Sequence, residues 1–425
     1  MNPHEIARLT LDGDFSQIPG DPASWMGWMA HPKALGSVIE EIQGLDLHRH
    51  EQTILVGMGG SSSGAGMLAH ELGGAALTIL DTSHPDTIQE TNFENVNLVV
   101  SSKSGGTVET VATMAYALSH GASTKDLTVI TDRGTPLDEL GHSLGAVVLY
   151  GDPRTGGRFS ALSVFGVAPV LIAGASSFSA SVLDEEEWID AFAHGAQSAP
   201  SSGWGTTTVS GDPLMSFTAL WEEQLIAEST GKEGKGVLPM PGSPREIRDV
   251  VLHVQRTHAY TVGLCVALGV DPFIQPDVES AKRRTFTELS SPSEDQFVAI
   301  EDLNSWIERG GAIALQVYGP LKQADEVAQL RATIARMGHE VSAGLGPRYL
   351  HSTGQLHKGG SSALRFLQVV VEPESEAERI SGRNYSFHDL ISSQARGDYH
   401  DLLSRGRDVV RVKVNPGEPL AALLH

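Results

Sequence analysis

Residues 102–110, Ser-Lys-Ser-Gly-Gly-Thr-Val-Glu-Thr, place four hydroxyls, two glycines and one lysine directly after the apolar run 96–100. A second loop, Gly57-Met58-Gly59-Gly60-Ser61-Ser62-Ser63-Gly64, closes another apolar run. Glycines let the backbone approach an anion closely, and a helix start just beyond offers free N–H groups and the positive end of its dipole. Hydroxyls and a lysine ammonium then complete a cradle for a phosphomonoester. The candidate binding residues are Gly60, Ser61, Ser102, Lys103, Ser104 and Thr107. The competing reading is two capped helix starts with Ser and Thr as N-caps. Capping accounts for one hydroxyl per helix, but not for the doubled glycine, the lysine and the remaining hydroxyls.

Two familiar nucleotide loops do not fit. A Walker A loop ends in Gly-Lys-Ser/Thr, which is absent here. The dinucleotide fingerprint of Gly57 and Gly59 needs a third glycine or alanine at position 62, where the chain has Ser62. Asp81, at the end of the next apolar run, stands where a ribose-binding acid would, so a nucleotide reading stays open.

Both loops need strands that deliver them and helices that follow. Apolar runs at 53–60, 76–81, 96–106, 127–132 and 146–152 read as buried strands separated by helix-length segments, with an apolar helix near 160–175. That alternation predicts a doubly wound parallel sheet with helices on both faces, a three-layer αβα unit. Residues 194–207, rich in Ser, Gly and Pro, read as a linker. Beyond it the alternation restarts, with strands expected at 206–212, 250–255, 311–320, 364–372 and 409–414. Helices are expected near 214–230, 257–269, 321–337 and 386–404. Two α/β domains, 1–200 and 201–425, are therefore predicted, with the ligand at the carboxyl ends of the strands.

Composition narrows the partners. In 425 residues, 30 Lys and Arg face 52 Asp and Glu, a net charge of −22. Such a balance argues against nucleic acid and anionic membrane as partners, yet leaves room for a small anion met by local donors. The single cysteine, Cys265, lies in an apolar run and reads as a buried structural thiol in a reducing compartment. The first residues lack the basic and apolar regions of a signal peptide, and the run 164–175 is too short to span a bilayer. A soluble, cytoplasmic protein is expected. No His-Glu-x-x-His or Cys/His cluster suggests a metal, and no cofactor is expected.

The two loops resemble those of the sugar isomerase (SIS) domain, which binds phosphosugars. Three further stretches narrow the resemblance to the glucose-6-phosphate isomerase family. "GGRFSALSVFG" (156–166) is similar to its first signature, with Thr155 in place of an aliphatic residue. "PFIQPDVESAK" (272–282) resembles its second, departing at Ile274 and Asp277 but keeping Gln275, Val278, Glu279 and Lys282 in register. "EEQLIAESTGKEGKG" (222–236) resembles the segment with the family's catalytic glutamate. The resemblance covers most of residues 50–370 and is nearest to the short bacterial isomerases and to the isomerase part of transaldolase–isomerase fusions.

The resemblance implies two SIS-type, flavodoxin-like domains and interconversion of glucose 6-phosphate and fructose 6-phosphate through an enediolate, a step of glycolysis and gluconeogenesis. It makes Glu228 the proton-transferring base, with Gln224 one helical turn before it. Arg158, beside paired glycines, would face the developing oxyanion. Lys282 would assist ring opening, and Gln275 would bind substrate. The family's histidine is sought in "RYLHSTGQLHKGGSS" (348–362), where a Gln-x-His pattern nominates His357, with His351 as the alternate. A homodimer is the family expectation. Two rivals stay open: a non-catalytic phosphosugar sensor, which would not need Glu228, Arg158 and Lys282 together, and a catalyst that also accepts mannose 6-phosphate.

Overall fold

A computed structural model describes residues 1–47, 50–73, 76–175 and 178–424. The first half is built on strands β1 (Gln52–Gly57), β2 (Leu77–Leu80), β3 (Val96–Ser101), β4 (Leu127–Thr131) and β5 (Val147–Tyr150). They form one parallel sheet in the order β2-β1-β3-β4-β5, the flavodoxin-like order. Every residue of β3 and β4 is buried, as expected when helices cover both faces of a parallel sheet. The register pairs Val56 with Val100 and Gly57 with Ser101. The loops after β1 and β3 therefore emerge side by side. The chain winds away from β1 in opposite directions to reach β2 and β3, and the switch point of the sheet falls between these two loops.

The second half contains β6 (Trp204–Val209) and β7 (Gly236–Pro241), a parallel pair, and β8 (Ile313–Tyr318), β9 (Val341–Leu345), β10 (Arg365–Val371) and β11 (Val409–Val414). The last four form a parallel sheet in the order β11-β10-β8-β9. The α/β class with parallel sheets is thus the observed one. Among the described residues, no helix is long and apolar enough to cross a membrane.

Several local expectations are corrected. Residues 250–255 are not a strand but the first turns of the helix Val250–Leu268. The Asp249 carboxylate accepts from the amides of Val251 and Leu252, and this cap outweighs the β-branched pair that suggested a strand. β7 escaped notice because Pro239 and Pro241 argue against a strand. Residues 194–207 hold little linker: the helix Glu185–Ser198 runs into them and β6 begins at Trp204. Core packing also crosses position 200, since Trp221, Leu225, Val254 and Phe273 share one apolar cluster with Leu55, Val99 and Phe165.

Two elements position most of the chemistry. The helix Phe217–Thr230 is buried nearly all round, so its polar side chains must find partners inside the protein. A short turn at Arg348–His351 and the helix Gly354–Gly359 follow β9. The latter is anchored by Lys358, whose Nζ lies 2.5 Å from Asp398 Oδ1 with both side chains fully buried. The Tyr349 hydroxyl donates to the other Asp398 oxygen at 2.8 Å. Removing one member of such a pair strands a buried charge, so Lys358→Met is expected to cost about 3–5 kcal/mol. Urea denaturation measures it, and the double variant Lys358→Met/Asp398→Leu is expected to recover most of the loss.

Candidate active site

At the switch point lies a cavity of about 360 Å³ lined by both glycine loops, the Gly157–Arg158 turn, one face of the helix Phe217–Thr230, and residues 273–282 and 350–351. It gathers Gly60, Ser61, Lys103, Ser104, Thr107, Arg158, Gln224, Glu228, Gln275 and Lys282 from the predicted set, with Trp25, Met58, Phe273 and Val278 as apolar walls.

The loops meet backbone to backbone. A Cβ on Gly60 would sit 2.2 Å from the Gly157 carbonyl, and one on Gly59 would sit 2.5 Å from the His351 carbonyl. The helices that follow the loops, Ser63–Leu72 and Val108–Ser119, begin at Ser62 and Thr107, and neither residue makes a side-chain capping bond. The Thr107 hydroxyl lies 2.9 Å from that of Ser102 instead. Ser102 is buried beneath the cavity rather than lining it. The competing reading of these hydroxyls as caps therefore does not describe Ser62 or Thr107. Lys103 does line the cavity, but its Nζ lies 2.5 Å from Asp132 Oδ2 and donates to the Asp152 carbonyl at 3.2 Å. Its charge is offset before any ligand arrives.

Arg158 is almost wholly buried, and every arm of its guanidinium has a protein partner. Nε donates to Ser229 Oγ at 2.9 Å, Nη1 to Gln275 Oε1 at 2.8 Å, and Nη2 to the carbonyls of Pro272 and Ile274 at 2.5 and 3.2 Å. Nη1 also stands 3.4 Å from Glu228 Oε1. Arg158 thus offers the cavity its charge and an oriented Glu228 more than a vacant donor. Glu228 Oε2 accepts from Gln224 Nε2 at 3.0 Å, and the same amide donates to the His351 carbonyl at 2.9 Å. Gln224 Oε1 in turn accepts from Ser63 Oγ at 2.7 Å, which fixes the amide's orientation. Lys282 sits at the exposed rim, 2.7 Å from Glu279.

The structure separates the two candidate histidines. His357 is buried outside the cavity, its Nδ1 3.1 Å from Gln316 Nε2, with Tyr349 and Phe366 against its ring. Burial, and next the charge of Lys358, pushes its pKa well down, so it stays neutral. His351 lines the cavity instead, with Nε2 2.9 Å from Glu109 Oε1. Burial alone would raise the Glu109 pKa, but the His351 charge and hydrogen bond outweigh it and hold this carboxyl below its ordinary value. An ionised Glu109 accepts a hydrogen bond from Nε2–H, which leaves Nδ1 as the ring nitrogen facing away from it. Gln394 also donates to Glu109 Oε1, at 2.6 Å. Glu109 sits within the 102–110 stretch but carries no signal of this contact there, since a first-turn carboxylate is also what a helix dipole favours.

Asp81 is not a ribose acid here. It is buried and bound to Arg348 at 2.7 Å. The departures from the family pattern have local uses. Thr155 is buried 3.3 Å from His31 Nε2, and Ile274 turns its side chain outward while its carbonyl serves Arg158. Asp277 is held by Arg405 at 2.8 Å and Gln355 at 2.7 Å. Cys265 is a buried thiol with its pKa pushed up to about 12 by burial, in keeping with a structural role.

No family model matches the chain. A glucose-6-phosphate isomerase of Campylobacter jejuni is 31% identical over 206 residues, 42% of this chain and 50% of that protein. One of Symbiobacterium thermophilum is 25% identical over 287 residues, 59% of this chain and 60% of that protein. The chain thus spans about half the length of the curated relatives it matches. The crystal structure of a glucose-6-phosphate isomerase from Chlamydia trachomatis aligns over 88% of this chain and 58% of that one, with 16% identity and a TM-score of 0.29. Parallel sheets in flavodoxin-like order and a polar cavity at a switch point define an α/β protein of the doubly wound class. Over somewhat less than half its length it is similar in sequence to proteins named glucose-6-phosphate isomerase.

Next to Gln224, Glu223 is buried near Arg348 and Arg331. Burial, and next the charge of Asp212, pushes its pKa up to about 8. The folded protein therefore holds this proton when the unfolded chain has released it. Stability from this group is full below its ordinary value of 4.5 and is lost as pH rises toward about 8. The Glu223 share of the unfolding free energy is expected to decline across that window, so the stability of Glu223→Gln relative to wild type is expected to rise with pH there, as read by denaturant titrations of both proteins at a series of pH values.

Proposed function

We propose that the protein is an aldose–ketose isomerase of sugar phosphates, interconverting glucose 6-phosphate and fructose 6-phosphate as a homodimer. The observation that carries this reading is one carboxylate, Glu228, fixed between Arg158 and Gln224 at the wall of a cavity bordered by two glycine–hydroxyl loops. A phosphosugar sensor needs the loops but gains nothing from a pre-oriented base.

In this reading Ser61, Ser104, Thr107 and the amides at the two helix starts hold the phosphate, with Lys103 adding charge from the flank. His351 takes the ring-opening role: its protonated Nδ1 gives a proton to the ring oxygen as the C1–O5 bond breaks, solvent water takes the proton of the anomeric hydroxyl, and Glu109 holds the other nitrogen. Glu228 then removes the proton on C2 of the open aldose and returns it to C1. Arg158 opposes the negative charge that gathers on the enediolate. Gln275, bonded to Arg158, and Lys282 at the rim face the substrate's hydroxyls. The groups come from one chain, so dimer formation is measured separately, by sedimentation.

Coupled detection of glucose 6-phosphate formed from fructose 6-phosphate tests the reading. Glu228→Gln keeps the shape and removes the acceptor, so turnover is expected to fall by roughly 10²–10⁴, the usual share of a positioned general base. Near-normal turnover in the folded variant excludes Glu228 as the base. Wild-type protein that binds the phosphosugar without converting it favours the sensor.

The histidine assignment has its own measurement. His351→Ala is expected to slow turnover of the cyclic hexose phosphate while largely sparing enolisation of an open-chain analogue. His357→Ala is expected to lower stability without changing the ratio of the two activities, and the reverse pattern would restore His357 to the role.

A further inference from the structure

Arg348 begins the short turn whose last residue is His351. Its Nη2 donates to Asp81 Oδ1 at 2.7 Å, and Asp81, directly after β2, is 1% exposed. The guanidinium carbon lies 5.9 Å from the centre of the Phe217 ring, at the start of the helix that carries Gln224 and Glu228. Arg348 therefore touches the edge of the first sheet and the root of the glutamate-bearing helix, and covalently it fixes the base of the His351 turn. The other end of that turn is already held: its carbonyl by Gln224, its ring by Glu109, its backbone by contact with Gly59.

We propose that Arg348, through its ion pair with Asp81, is a positioning residue that sets where the His351 imidazole stands in the cavity. This rests on the isomerase reading above. A mere staple between the two halves of the chain would lose stability when cut, but it would not depend on His351. A positioning residue acts through His351, and a displacement of about 1 Å can cost on the order of a hundredfold in rate.

The test is a double-mutant cycle. Asp81→Asn/Arg348→Met removes both charges and so leaves neither buried alone. Asp81→Asn, which keeps the side chain's shape, is the companion variant should the pair lose folding. In the wild-type background kcat is expected to fall roughly ten- to hundredfold with KM changed less than about threefold. In a His351→Ala background the same change is expected to cost less than about twofold further. Equal losses in the two backgrounds, or an unchanged kcat, overturn the proposal and leave a staple. Should wild-type protein show no isomerase activity, the functional reading falls by itself. The His351 Hε1 proton resonance then decides: a shift on removal of the Asp81–Arg348 pair upholds the positioning role, and an unmoved resonance overturns it.

Discussion

The site depends on burying one guanidinium. A charge taken out of water is tolerated only when its donors are filled and its field is opposed. Arg158 meets this by drawing in two separate parts of the chain: Ser229 and Glu228 from the buried helix, and the 272–275 segment through Gln275 and the carbonyls of Pro272 and Ile274. The turn carrying Arg158 is in turn packed against the first glycine loop, where a Cβ on Gly60 would strike the Gly157 carbonyl. Filling the donors of Arg158 thus fixes the relative placement of loop, helix and the 272–275 segment. Beneath it, Lys232 donates to the carbonyls of Glu228 and Ser229 at 2.8 and 2.6 Å. Burial, and next the Arg158 charge, lowers its pKa to about 7. A second full positive charge there is costly, and the protein sheds part of it.

This arrangement lets an acidic chain present a cavity suited to an anion. Net charge of −22 is spread over the surface and screened within about 10 Å at ordinary ionic strength. Inside the cavity the nearest groups are instead helix starts without side-chain caps, the Arg158 charge and the ammonium of Lys103. Asp132 holds Lys103 and offsets it. The field at the loops is set more by backbone amides than by lysine.

The sequence made the first sheet and its two loops legible, because glycines, hydroxyls and buried apolar runs are local signals that recur at each strand end. What it hid was decided by tertiary contacts. His351 and His357 lie within one short stretch, yet a turn faces the first into the cavity and a helix buries the second against Phe366. No spacing rule separates them. Glu109 was in plain view, but its use follows only once His351 arrives from far along the chain. The strand expected at 250–255 failed for the opposite reason: the deciding signal, Asp249 as an N-cap, is local and prevails over the Val250–Val251 pair that suggested a strand. Ser102 has the right chemistry in the right loop and still points at Thr107 rather than the cavity.

The helix Phe217–Thr230 shows how environment selects one acid among several. Glu222, Glu223 and Glu228 share this helix, and simple exposure would leave all three as solvated carboxylates. Burial forces three different solutions. Glu222 is met by Arg245 at 3.1 Å and the Ser210 amide at 2.6 Å, with His253 3.0 Å away, so its charge is held in place. Glu223 has Asp212 as a nearby like charge and keeps its proton instead. Glu228 has Arg158 on one oxygen and a single amide on the other, and it alone of the three borders the cavity. A base must be charged, oriented and reachable, and pairs of acids pushed toward different states are how one element supplies such a group. Glu222 is oriented but spent on its partners, Glu223 is neutral, and the burial that disables those two leaves Glu228 as the one glutamate of this helix both oriented and open to the cavity.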